Sequence, residues 1–236
     1  MAQPLNVLLF GVYPYVAIGV FLLGSLVRFD REQYTWRSAS SQLLRRRLLL
    51  VGSNCFHIGV LMILAGHFVG LLTPPEVLAA LGLSASSHQL MAMGAGGVFG
   101  VICFVGLTLL IWRRLTDARI RATSSAMDIA ILLLLYVQLT LGLSSISVSA
   151  QHLDGSEMEK LAGWAQHLVT LRPDAASLIA GVPLIYRLHV FLGLTIFLVF
   201  PFSRLVHIWS VPVGYVGRRY QIVRRRGGAD AVRGRS

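Results

Sequence analysis

Four histidines of this 236-residue chain stand in or at the end of long apolar runs, His57 and His67 in one run and His189 and His207 in another. An ionisable group in hydrocarbon is costly, so such a residue marks function by default and requires a partner. A neutral imidazole is a good ligand for metals, haem iron among them. One histidine alone in a membrane helix is better read as a hydrogen-bonding contact to a neighbouring helix. Two on each of two segments, with almost no other charge in the apolar runs, shift the balance toward ligation. Asp128, the one acid near a run, sits at its boundary as an ordinary boundary residue.

On an ideal helix the step from His57 to His67 covers about 15 Å and 2.8 turns, and that from His189 to His207 about 27 Å and five turns. Each pair therefore marks two levels at different depths. His67 and His189 each lie five residues from the same-side end of their runs, so they match in depth and can face each other across one iron. His57 and His207 then pair by elimination. His207 lies at or beyond the end of its run, an offset that helix tilt can absorb. A zinc site needs four ligands converging on one point, whereas these four spread along the membrane normal, as a stack of two haems requires. Gly52, Gly59, Gly66 and Gly70 in the first run and Gly193 in the second leave room for a flat macrocycle. Close helix packing through small residues accounts for them equally well.

The elements that must carry these residues follow from composition. The chain is 55% hydrophobic and 13% charged, against roughly 25% charge in soluble domains. A membrane-crossing helix needs about 20 apolar residues, and five runs qualify: 5–27, 48–72, 90–112, 127–148 and 184–206. The expected fold is an all-α integral membrane bundle of five transmembrane helices over residues 1–210, followed by a basic tail, 211–236. The net charge of +11 sits in short blocks beside the apolar runs, a pattern that sets topology and does not make a nucleic-acid face. Once the spans alternate, eighteen of the 21 basic residues fall on one side, leaving Lys160, Arg172 and Arg187 on the other. Because basic residues resist translocation, the rich side is expected to be cytoplasmic, with the N-terminus outside and the C-terminus inside. No Lys or Arg precedes Arg28, so the first run lacks the basic region of a secretory signal and is expected to be retained.

Cys55 and Cys103 lie within apolar runs and no CxxC occurs, so neither a disulfide framework nor covalent haem attachment is expected. In the segment 149–183, Met158, Leu161, Trp164, Leu168 and Leu171 recur at helical spacing. They make one face of a short helix that either lies in the outer interface or packs on the tops of the spans. Trp209 and Tyr215 suit anchors at the inner interface.

Longer motifs add a resemblance. Tyr13-Pro14-Tyr15, Gln33-Tyr34-Thr35-Trp36-Arg37, Phe56-His57-Ile58-Gly59, Gly66-His67-Phe68, the run Gln151 to Met158, Gly163-Trp164-Ala165-Gln166, Phe200-Pro201-Phe202-Ser203-Arg204 and the run His207 to Pro212 resemble the gamma subunit of membrane-bound respiratory nitrate reductase. The resemblance covers about Tyr13 to Tyr220. It implies a cytochrome b subunit of a quinol:nitrate oxidoreductase in a bacterial or archaeal cytoplasmic membrane. Two non-covalent b-type haems would be held by His67 with His189 toward the outside and His57 with His207 toward the inside. Quinol would be oxidised near the outer haem. Electrons would pass to an iron–sulfur beta subunit and then to a molybdopterin alpha subunit that reduces nitrate. Gly66 and His67 match residues that line the family's quinol pocket. A family lysine just before Met91-Ala92-Met93 is replaced here by Leu90, and His88 is expected to supply the polar contact in its place; the alternative for His88 is a solvated loop residue.

Two other functions fit the same residues. The chain could serve a different cytoplasmic reductase as its cytochrome b subunit, or it could be a haem-free membrane anchor or transporter whose histidines line a proton path. The arginine-rich tail from Arg218 and the first loop suit docking to cytoplasmic subunits, with attraction to anionic lipid as the competing account.

Overall fold

The computed structural model describes residues 3–32 and 44–210. The Gln33 to Arg37 motif, Tyr215 and the basic tail lie outside the described residues. Among the described residues every regular element is helical, and five helices are long and apolar enough to cross a membrane: Gln3–Arg31, Arg46–Leu72, Ala85–Thr116, Ala126–Ser149 and Leu184–Phe202. These are spans one to five. Large apolar side chains such as Leu23, Leu26, Leu61, Phe68 and Val98 stand exposed along them, as lipid-facing surfaces should.

The spans pack in the order two, three, four, five, one. The tightest seam joins spans two and three. A Cβ at Gly106 would collide with the backbone of Phe56, and one at Gly59 would fall on Cys103. Glycine at these positions lets the two backbones touch, the usual route to close packing without a hydrophobic driving force. Close packing is thus the role of Gly52 and Gly59, whose would-be Cβ atoms point at span three. Both cysteines are free.

Span one is continuous across Pro14 because a turn of π-helix, Leu8–Val12, precedes it. Pro14 has no N–H for the carbonyl of Phe10 four residues back. Trp164 supplies the missing donor, its Nε1 reaching the Phe10 carbonyl at 2.9 Å. Two of the sequence motifs are therefore halves of one contact. The helix that carries Trp164, Ser156–Val169, packs on the tops of the spans. Trp164, Ala165 and Leu168 are buried, Tyr15 donates its hydroxyl to the Leu168 carbonyl at 3.1 Å, and Gln166 Nε2 donates to the carbonyls of Leu71 and Thr73 that end span two. Leu171, expected on the same face, lies past the helix end in a left-handed conformation and is exposed.

Span three starts at Ala85, five residues before the predicted Leu90, because Ser84 caps it by accepting the Ser87 N–H. The extra turn carries buried Gln89, which donates to the carbonyls of Ser149 and His152 at 2.9 and 2.8 Å and accepts the Gly155 N–H at 2.9 Å. Gly155 turns the chain with φ +83°, against the backbone of Ala85.

Span five corrects a second boundary. The predicted run to Val206 is not one helix: α-helix ends at Val199, a 3-10 turn follows over Phe200–Phe202, and a further 3-10 segment runs Arg204–Ser210. Pro201 cannot continue the α-helical ladder, and extended Ser203 redirects the chain. Arg28 of span one donates to the freed carbonyls of Pro201 and Ser203 at 2.6 and 2.9 Å.

Asp128 is more than a boundary residue. It completes a capping box with Ser125 and lies 3.7 Å from Arg114 and 3.6 Å from Arg204, joining spans three and four to the 3-10 segment that follows span five. Nearby, the Ile120 N–H holds the Asp117 carboxyl below the usual carboxylate range. Replacing Trp164 by Phe should leave the Phe10 carbonyl without a donor and destabilise the protein by about 1–3 kcal/mol, read as a lowered unfolding temperature in detergent.

Candidate functional site

Span two takes its main support from span three, and span five from spans four and one, so any seam between spans two and five is thin. The histidine rings meet across the space between them in two pairs. His67 and His189 have ring centres 6.0 Å apart with planes at 38°; His57 and His207 have centres 6.4 Å apart with planes at 72°. A metal–imidazole bond is about 2 Å and half a ring adds about 1 Å, so two imidazoles on opposite sides of one metal stand roughly 6 Å apart, centre to centre. Both pairs have that spacing. Among the described residues no three His, Cys, Asp or Glu side chains converge as a metal cluster; the chain offers pairs.

In the neutral rings the backbone selects the tautomer. The Nδ1 of His57 lies 2.7 Å from the Ser53 carbonyl, that of His67 2.8 Å from the Ile63 carbonyl, that of His207 2.6 Å from the Arg204 carbonyl and that of His189 3.1 Å from the Gln138 carbonyl. A carbonyl only accepts, so in each ring Nδ1 carries the hydrogen and Nε2 keeps its lone pair. This is the tautomer that ligates metal through Nε2, with the second nitrogen oriented by a backbone acceptor. The residues present therefore fit a haem at each level.

His207 reaches its partner by a route other than the five unbroken turns inferred from sequence. It sits on the 3-10 segment after the break, where Leu205 and Val206 bury themselves against Ile131 and Phe200. Arg28 holds the break in place, and the offset in depth is taken up there.

At the arginine-poor end, Gly66 has open space where a side chain would be, and a Cβ at Gly70 would lie 3.4 Å from Nε2 of His88. His88 is thus half-buried in the first turn of span three, leaning over the last turn of span two beyond His67, and is not a loop residue. Leu90 is exposed.

A family model for the nitrate reductase gamma subunit matches residues 6–226. The chain belongs to this family. It is 55% identical over 224 residues to the respiratory nitrate reductase 1 gamma chain of Escherichia coli strain K12, covering 95% of this chain and 99% of that one. It is 53% identical to the respiratory nitrate reductase 2 gamma chain of the same strain over 96% of this chain and 100% of that one. It is 38% identical to the nitrate reductase gamma chain of Bacillus subtilis strain 168, over 93% and 98%.

Sequence reasoning about this gamma subunit missed three contributors. Gln138 and Gly142 of span four both border His189; the signal available was an amide inside an otherwise apolar run. Arg28, counted only as a topology charge, secures the segment that carries His207. Arg28→Ala should free the Pro201 and Ser203 carbonyls, and in detergent trypsin should cut after Arg204 about tenfold faster, since two hydrogen bonds from a charged donor are lost.

Proposed function

We propose that this chain is a two-haem b cytochrome that oxidises quinol at the outer side of the cytoplasmic membrane and serves a respiratory nitrate reductase. The observation that carries the reading is the pair of imidazole pairs, stacked along the bundle at metal-bridging distance with Nδ1 of every ring bonded to a backbone carbonyl and Nε2 left as the ligating nitrogen. His67 and His189 would hold the outer haem, His57 and His207 the inner. Haem bound there would supply two centres that accept and return single electrons. The chain's own part is to hold the rings at fixed depth and orientation and to surround them with apolar helices.

Quinol gives up two electrons and two protons, so the site that meets it needs polar groups at the membrane surface. Gly66, His67 and His88 occupy the arginine-poor end, and the charge asymmetry supports that end as the outer one. His88 would hydrogen-bond a quinol hydroxyl in place of the family lysine. The arginine-rich face suits docking of an iron–sulfur beta subunit and a molybdopterin alpha subunit, the route by which the electrons would reach nitrate in the cytoplasm. The printed names of the relatives, gamma chains of nitrate reductases, support this assembly.

Purified chain should show a b-type reduced-minus-oxidised spectrum and two haems per chain, with His67→Ala and His189→Ala each removing one. A wild-type chain without haem would reject the reading in favour of an anchor or transporter. His88→Ala should slow quinol oxidation about tenfold, the weight of one hydrogen bond to a polar substrate, with both haems retained; an unchanged rate would remove His88 from the site.

A further inference from the structure

His189 is held differently from the other three rings. His57, His67 and His207 give Nδ1–H to a carbonyl of their own segment, whereas His189 gives its hydrogen to the backbone of Gln138 on span four. Position 142, one turn further along span four, decides whether that reach is possible. A Cβ on Gly142 would stand 2.9 Å from Cε1 of His189, well inside the roughly 3.5 Å at which carbon atoms rest. The side chain of Gln138 lies on the coordinating side of the same ring, its Nε2 3.4 Å from Nε2 of His189. That ring nitrogen carries only a lone pair, so the amide must turn its N–H toward it and its oxygen away. The oxygen is buried without a hydrogen-bond partner among the described residues. Gly193 leaves the space the amide fills, since a Cβ there would lie 3.1 Å from the Gln138 nitrogen.

The geometry points to Gln138 and Gly142 as positioning residues for His189, setting its ring plane and its electron donation at the outer level while the inner level stays independent of them. This rests on the reading that the outer pair holds haem. A hydrogen bond from Nδ1 to a carbonyl makes the imidazole a stronger donor, which favours ferric iron. Once that lone pair is given to iron the N–H no longer bonds to it, but the amide nitrogen stays the near end of the Gln138 dipole, 3.4 Å away, and sets partial positive charge beside the coordinating nitrogen, which favours ferrous iron. Removing one or the other must therefore move the outer potential in opposite directions.

The test is a redox titration of both haems in native membranes containing the full chain and its complex, with a haem count and the low-spin ferric EPR signal, whose anisotropy follows the angle between the two axial rings. Gly142→Ala should raise the outer midpoint and change the outer EPR signal, or remove the outer haem alone. Gln138→Leu should lower the outer midpoint. The inner haem should keep its midpoint in both. An unchanged outer midpoint in either folded variant overturns the proposal. If Gly142→Ala loses both haems by misfolding, Gln138→Leu decides: a lowered midpoint upholds the inference and an unchanged one overturns it. A wild-type chain lacking the outer haem fails the underlying reading instead, before any variant is compared.

Discussion

An imidazole inside a lipid-embedded bundle cannot leave its N–H bare, because hydrocarbon offers no water to take it. In this chain each of four rings meets that demand with a backbone carbonyl, and everything else about the site follows from it. For His57 and His67 the acceptor is the carbonyl four residues back, and for His207 the one three back. These are groups a helix always presents, so the sequence around them is free to stay apolar. One hydrogen bond per ring sets the tautomer of the neutral imidazole and leaves Nε2 as the nitrogen that can ligate. Two pairs of such rings, 6.0 and 6.4 Å apart centre to centre, make two levels.

The gap itself is maintained by packing elsewhere. Span two is pinned to span three through glycines that bring the backbones into contact, and span five rests on spans four and one. The two helices that bear the rings therefore have their own supports and need not touch. At the arginine-poor end the bundle is closed by neutral hydrogen bonds from Trp164, Gln166 and Gln89 to main-chain carbonyls. At the other end it is closed by Arg28 and by the Arg114–Asp128–Arg204 cluster. Amides and indole satisfy helix ends on one side; guanidinium groups do so on the side where positive charge is abundant.

Much of this could be read from residue order. Five apolar runs give five spans because bilayer thickness fixes helix length, and the helices observed differ from those runs by a few residues at their ends. The meeting of His67 with His189 followed from equal distance to the helix ends. The elements that escaped are those that depend on what lies opposite in space. The turn at Ser203 and the arginine from span one that stabilises it leave no mark in the spacing of the histidines, which by itself puts His207 on an unbroken helix. Gln138 stands out as an amide in an apolar run, but its role and that of Gly142 come only from span four facing the His189 ring. His88 lies on span three and not in a loop because a serine cap just before it, Ser84, lengthens the helix beyond its apolar run.

The break after Val199 also dictates the order in which the molecule can be completed. His57 emerges early in synthesis, yet its opposite ring is carried by a segment that follows the fifth span and is clamped by Arg28 of the first. The lower rung of the ladder therefore cannot exist on a nascent chain; it closes only when the last helix has been threaded beside the first. Any truncation that removes the final segment erases that rung while leaving the upper one, whose two rings lie within completed spans, geometrically intact.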